Sequence, residues 1–227
     1  MLHILRALLF DFDGLILDTE TPVYRSWQEL YESCGGRLEL PTWGRTIGTI
    51  SGEQFHFESL ERQLGRPVDR LTLSPLRRQR EMELIAAQPA LPGVLTYLQD
   101  ARRLGLKTGL ASSASCDWVT GHLKRLGLIH YFDHIWASDD VDQVKPNPEL
   151  YLALLNALDV TASEALALED SPIGVHAAQR AGIFCVAVPN PLTRQLSLEH
   201  ADLYLDSLAA VSLDALIRQV EAIKKGG

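Results

Sequence analysis

The chain has 227 residues, 46% of them hydrophobic, with 21 Lys and Arg against 29 Asp and Glu for a formal net charge of −8. That length allows one large domain or a core with a smaller insert, and the apolar fraction is ample for a packed interior. The negative charge gives no long-range attraction for nucleic acid or an anionic membrane surface, so neither is an expected partner, and any anion must be held by a local site. Cys34, Cys116 and Cys185 are odd in number and form no C-x-x-C pattern, which argues against a disulfide framework or a zinc site and fits a reducing cytoplasm. The start "MLHILRALLF" runs straight into acids with no small-residue cleavage site, and no apolar stretch approaches the roughly 18 residues of a membrane span. A cytoplasmic protein is expected.

In chain order, "RALLF" (6–10) reads as the first buried strand. Further short apolar runs follow at "LKTGLAS" (106–112), "HIWAS" (134–138), "ALALE" (165–169) and "FCVAV" (184–188). Helix-like stretches separate these runs, which predicts an α/β fold with a doubly wound parallel sheet and helices on both faces. Residues 18–85 have no comparable strand run and read as an α-helical insert. There "ETPVYRSWQELYESCGG" places Pro22 near a first turn and stops at Gly35 and Gly36, while "SPLRRQREMELIAAQ" offers Ser74 as an N-cap and Pro75 at the first helical position. "PALPGV" (89–94) punctuates the return. The expected organisation is a core domain of residues 1–17 and 86–227 and a helical domain of residues 18–85.

The stretch "LLFDFDGLILDTE" (8–20) carries Asp11 and Asp13 out of the first strand with Gly14 behind them. Two carboxylates two residues apart at the carboxyl end of a strand project to one side, and open α/β sheets place ligands at that edge. They can divide the work, one ionised as nucleophile or metal ligand and the other as general acid and base; the plain alternative is a solvated strand end before a turn. An EF-hand loop is excluded because Leu15, Ile16 and Leu17 stand where oxygen ligands are needed. "GLASSAS" ends its strand in Ser112 and Ser113, whose hydroxyls and amides suit phosphate oxygens or plain helix capping, with Ser115 free to cap the next helix. "DQVKPNPELY" fixes Lys145 before Pro146 and starts a helix with Asn147 as cap and Pro148 at the first helical position, so the lysine is either a rigid cation for a phosphate or a solvated surface residue. "ALALEDSPIGVHAAQRAG" runs a buried strand into Glu169 and Asp170, then caps a helix with Ser171 and Pro172. That acidic pair suits a hard metal or the dipole of the helix.

The ordered set "DFDGLILDTE", "GLASSAS", "KPNPELY" and "EDSPIGVHAAQRAG" resembles the haloacid dehalogenase-like (HAD) hydrolase superfamily, in the branch containing β-phosphoglucomutase, sugar-phosphate phosphatases and phosphoglycolate phosphatase. The resemblance covers residues 8 to about 182. It implies a Rossmann-like core, a helical cap inserted after the first motif, and a Mg²⁺-dependent phosphatase acting on a small phosphorylated metabolite. It makes Asp11 the nucleophile that forms an aspartyl-phosphate and Asp13 the acid that protonates the leaving oxygen and later activates water. It gives Mg²⁺ to Asp11, the Asp13 carbonyl, Asp170 and Glu169, directly or through water, and the phosphoryl oxygens to Ser112, the Ser113 amide and Lys145. A cap closing its own site makes a monomer the default.

The dehalogenase branch fits poorly, since those relatives lack the second aspartate that Asp13 supplies here. A sugar-phosphate mutase is the alternative, but the His expected on the first cap helix falls at Val23, and the expected basic residue falls at Ser51 or Gly52. The insert carries nine Arg and no Lys between residues 18 and 85, read mainly as solvated faces balanced by Glu. Within "GRTIGTISGEQF" (44–55), Arg45 is the first candidate for substrate contact. Trp27, Trp43, Trp118 and Trp136 are read as packing residues, and none of the seven histidines falls into a metal-ligand spacing.

Overall fold

The computed structural model describes residues 5–43, 52–195, 198 and 200–226. The chain divides into two compact units, Met1–Leu17 with Pro89–Gly227 and, between them in sequence, Asp18–Gln88. The first unit holds six strands, β1 (Ala7–Phe10), β2 (Lys107–Ala111), β3 (His134–Trp136), β4 (Ala165–Glu169), β5 (Phe184–Ala187) and β6 (Leu203–Tyr204). They form one parallel sheet in the order β3-β2-β1-β4-β5-β6. β1 pairs Ala7–Phe10 with Lys107–Leu110 on one side and with Ala165–Leu168 on the other. Every residue of β1 and β4 is buried, which is why both read as unbroken apolar runs instead of alternating ones. The chain steps outward from β1 to β3, then crosses back to β4, so the strand order reverses between β1 and β4. At such a switch point the connections diverge and open a crevice at the carboxyl ends of the strands. The sixth strand, only two residues long, was not foreseen.

The second unit is helical, with α1 (Glu20–Ser33), α2 (Leu40–Trp43), α3 (Gly52–Leu64) and α4 (Arg70–Ala86). α1 packs on α4, and buries Trp27, Leu30 and Tyr31 at helical spacing. Trp27 lies 4.9 Å from His56 and 5.1 Å from Phe57, ring centre to ring centre. One expectation is corrected here: α4 begins at Arg70, not at Pro75. Asp69 caps it, its carboxylate accepting from the Thr72 N–H at 3.3 Å and from the Thr72 hydroxyl at 2.7 Å. Two bonds from one carboxylate outweigh the single ladder bond that Pro75 forfeits in the second turn, to a carbonyl at the exposed Leu71. Ser74, no longer needed as a cap, donates to Glu53 Oε1 at 2.6 Å.

The arginines of this unit pair with glutamates as expected at Arg25–Glu29, Arg70–Glu61, Arg78–Glu53 and Arg80–Glu29. Arg77 departs from that pattern. It is buried, its guanidinium 4.8 Å from the centre of the Trp27 ring, and it donates to Ser26 Oγ at 3.2 Å and to Glu81. Arg45 and Ser51 lie outside the described residues.

Five α-helices among the described residues belong to the first unit: α5 (Val94–Arg103), α6 (Cys116–Arg125), α7 (Glu149–Ala157), α8 (Pro172–Arg180) and α9 (Leu213–Gly226). Ala7, Leu9, Ala165 and Ala167 point to one face of the sheet and share a buried cluster with Leu150, Tyr151 and Leu154 of α7 and Val175, Ala177 and Ala178 of α8. α5 packs on β2 and α9. The strand ends are thereby held from both sides.

Candidate active site

The ladder continues past β1, where the Asp11 N–H donates to the Leu168 carbonyl at 3.0 Å, so the Asp11 carboxylate leaves the sheet on a fixed backbone. The chain then turns. Gly14 has φ +87° and donates its N–H to the Leu17 carbonyl at 2.7 Å. A side chain at position 14 would be strained by that φ and would also place its Cβ 2.1 Å from Asp170 Oδ2. Glycine is therefore required here by close approach as well as by the turn.

Lys145 arrives from the loop before α7 and is buried beneath Asp11. Its Nζ lies 2.5 Å from Asp11 Oδ1, 2.6 Å from Glu169 Oε1 and 2.9 Å from the Ala111 carbonyl, which engages all three ammonium hydrogens. Burial works against the charge, but Asp11 and Glu169 outweigh it and hold the lysine above its ordinary range. Glu169 is fully buried at the end of β4. Burial pushes its carboxyl up against the pull of Lys145, and Tyr151 donates to the same Oε1 at 2.5 Å. Glu169 Oε2 accepts no hydrogen bond from the described residues and lies against Gly174, where a Cβ would fall 1.8 Å from it. Asp11, Glu169 and Asp170 each present a carboxylate oxygen within 4.8 Å of the others. Three carboxylate oxygens so close, beside the Lys145 ammonium, suit a hard divalent cation.

The structure also brings the serines to this edge. Ser112 is buried after β2, its Oγ accepting from the Ala114 N–H at 3.0 Å and lying 3.5 Å from Asp13 Oδ2. Ser113 beside it is exposed, and Ser115 caps α6 by accepting from the Trp118 N–H. Ser171 caps α8 by accepting from Gly174, as read. The start of α7 is corrected by one residue: the helix begins at Glu149 with Pro148 in the cap position, while Asn147 Oδ1 accepts from the Glu149 N–H at 3.0 Å. Asp11, Asp13, Ser112, Lys145, Glu169 and Asp170 thus converge from four segments of the sequence.

Two residues at the site were not singled out in the sequence, and a third was given a different role. Asn190 follows β5; its Nδ2 lies 3.0 Å from Asp170 Oδ2 and 3.4 Å from the Gly14 carbonyl, while its Oδ1 accepts from the Leu192 and Thr193 N–H groups at 2.9 Å each. Tyr151 holds Glu169 as described. Trp118, read as a packing residue, is corrected: its indole Nε1 donates to Asp13 Oδ1 at 3.0 Å. The one available signal was position, since Trp118 stands three residues after the capping Ser115 and therefore in the turn next to the strand end.

Fold and site together define an open parallel α/β enzyme with an acidic, lysine-bridged centre at the carboxyl edge of its sheet. The chain belongs to the haloacid dehalogenase-like hydrolase family, which it matches over residues 8–188. It is 49% identical over 213 residues, 94% of this chain and 96% of the other, to YhcW of Bacillus subtilis (strain 168), which bears a provisional phosphatase name. It is 30% identical to the phosphorylated carbohydrates phosphatase of Thermotoga maritima, over 79% of this chain and 82% of that one. A solved structure from Thermotoga maritima, provisionally named a β-phosphoglucomutase, superposes with a TM-score of 0.76 at 26% identity and covers 96% of this chain and all of its own. The chain is an enzyme of the phosphatase class. Among the described residues no helix is long and apolar enough to cross a membrane.

Proposed function

We propose that this enzyme hydrolyses a small phosphorylated metabolite of the sugar-phosphate kind through an aspartyl-phosphate on Asp11. The observation that carries the reading is the Asp11 carboxylate, presented at the end of the central strand with Lys145 against one oxygen and the second acidic pair within reach. Relatives named for phosphorylated carbohydrates support the substrate class.

In this reading an Asp11 oxygen attacks phosphorus, and the new P–O bond forms as the bond to the metabolite oxygen breaks. Asp13 gives its proton to that departing oxygen. It then takes a proton from water, the water oxygen bonds to phosphorus, and the Asp11–phosphorus bond breaks to release phosphate. Lys145 holds Asp11 in line and, with Ser112 and the Ser113 amide, faces the phosphoryl oxygens as charge redistributes. Asp11, the Asp13 carbonyl, Asp170 and Glu169 would hold Mg²⁺, directly or through water, and its charge offsets the repulsion between carboxylate and phosphate dianion. The helical unit takes the part of a cap domain.

The test is phosphate release from fructose 1-phosphate, glucose 6-phosphate, glycerol 3-phosphate, phosphoglycolate and nucleoside monophosphates, each with Mg²⁺ and with chelator. Mg²⁺-dependent release from at least one sugar phosphate is expected; no release from any of them contradicts the reading. The mutase-named structural neighbour is answered in the same assay, with glucose 1-phosphate and glucose 1,6-bisphosphate. Phosphate release should exceed conversion to glucose 6-phosphate, because Val23 offers no cation or imidazole to a second phosphate.

A further inference from the structure

We propose that Trp118 is a positioning residue for the reaction: its indole N–H pins Oδ1 of Asp13 to α6, so that Oδ2 is the oxygen presented to the leaving group. The inference rests on the phosphatase reading, which makes Asp13 the proton donor, and adds to it the side chain that sets the direction of the donation.

The placement of Trp118 follows from the local sequence. Ser115 caps α6 and accepts the Trp118 N–H, which fixes the backbone of the first turn directly after the loop that carries Ser112. Val119 and Leu123 are fully buried and anchor the helix in the core, so its first turn has little freedom to shift. His122, one turn on, meets the indole edge to face at 4.4 Å and 72°, and Arg125 Nε donates to His122 Nδ1 at 3.3 Å. The ring is therefore backed by its own helix. Its single polar atom, the N–H of a half-buried ring, points at Asp13 Oδ1 at 3.0 Å.

The two oxygens of Asp13 are thus unlike. Oδ1 accepts from the indole N–H at 3.0 Å, while Oδ2 accepts at 3.5 Å from the Ser112 hydroxyl, the group assigned to the phosphoryl oxygens, and so faces the side where the substrate is expected. A carboxylate on a short side chain swings about two torsions, and a misplacement of about 1 Å can cost a hundredfold in rate. The indole removes that swing. Trp118 need not touch substrate for this.

The experiment compares kcat/KM for two kinds of leaving group. p-Nitrophenyl phosphate departs as a stable phenolate and needs little help from an acid, whereas a sugar phosphate must have its alkoxide protonated. Because kcat/KM covers the steps through departure of the leaving group, it isolates the donation from later attack by water. The ratio of the two values does not depend on how much of a variant is folded, so a purely structural role leaves it unchanged. With the best sugar phosphate of the panel above, Trp118→Phe, which keeps a ring and loses the N–H, should lower kcat/KM by about 10- to 100-fold and that for p-nitrophenyl phosphate by less than about threefold. Trp118→Gln, whose amide N–H has comparable reach, should stay nearer the wild-type ratio. If Trp118→Phe does not fold, Trp118→Met serves as the variant without a donor.

Equal losses on both substrates, or equal shifts of the ratio in the Phe and Gln variants, would overturn the proposal. Asp13→Asn separates this failure from that of the underlying reading. If Asp13→Asn changes the ratio and Trp118→Phe does not, only the positioning role falls. If Asp13→Asn leaves the ratio unchanged, the acid role of Asp13 falls and the proposal with it.

Discussion

Lys145 Nζ lies 2.6 Å from Glu169 Oε1, and the side chains are 4% and 0% exposed, so the ammonium and the carboxylate depend on each other for charge compensation inside the core. Removing one partner strands the other. Lys145→Met should lower the unfolding free energy by about 3–5 kcal/mol, because Glu169 would remain buried beside Asp11 with no cation. Adding Glu169→Gln should restore a substantial part of the loss in the double variant. Urea unfolding of the two proteins checks this, and a loss under about 1 kcal/mol for Lys145→Met would contradict it.

Gly14→Ala should abolish turnover. The added methyl meets Asp170 Oδ2 at 2.1 Å on a backbone already at φ +87°, so either the turn or the carboxylate must move. A fall in kcat of about a hundredfold or more is expected, with a lower Tm. Wild-type kinetics in this variant would show that Asp170 has room to give.

Asn190→Ala should weaken Mg²⁺ binding by about tenfold or more, because Asp170 Oδ2 loses the amide that orients it. Calorimetric titration of the substrate-free protein with Mg²⁺ reads this without reference to activity. Asp170→Ala should reduce the heat of binding further than Asn190→Ala does, since it removes a proposed ligand and not its support. An unchanged affinity in both variants would separate Asp170 from the metal.

The helical unit carries a separate acid sensitivity. His56 is buried, and burial, with the Arg77 charge as the smaller cause, pushes it from 6.5 down to about 4. The unfolded chain protonates this ring near pH 6.5 while the folded chain keeps it neutral until about pH 4. Between those values the unfolded state binds the extra proton, so the contribution is fully present above pH 6.5 and is lost as the pH falls towards 4. The loss is at most about 3 kcal/mol. Measured against His56→Phe, the wild type should lose more stability between neutral pH and the folded pKa. Parallel pH profiles for the two proteins would contradict the assignment.

The sheet was legible because parallel strands buried on both faces tend to be continuously apolar, and β1, most of β4, and β5 announce themselves that way. β6 was not, since two residues with an exposed Tyr204 carry no periodicity. The charged members of the site were legible for a similar reason: carboxylates and a lysine directly after apolar strands are conspicuous. Their supports were not. Trp118 is 105 residues from Asp13 and Asn190 is 20 from Asp170, and a neutral side chain gives no hint of which distant charge it will meet. The start of α4 was misplaced because Ser-Pro is a familiar opening, while the cap that prevails, Asp69 with Thr72, lies a turn earlier.

The central claim is that Asp11 carries the phosphoryl group, and it is tested most directly by trapping. The enzyme is mixed with its best sugar phosphate and Mg²⁺, quenched in acid within one turnover, digested, and examined by mass spectrometry for a phosphorylated peptide containing Asp11. The account predicts a phosphoryl group on Asp11 in the wild type, more of it in Asp13→Asn if that variant still transfers but cannot activate water, and none with Asp11→Asn, which should also release no phosphate while unfolding at a Tm near that of the wild type. An Asp11→Asn protein that retains more than a few per cent of wild-type phosphate release, with contaminating phosphatase excluded, would contradict it.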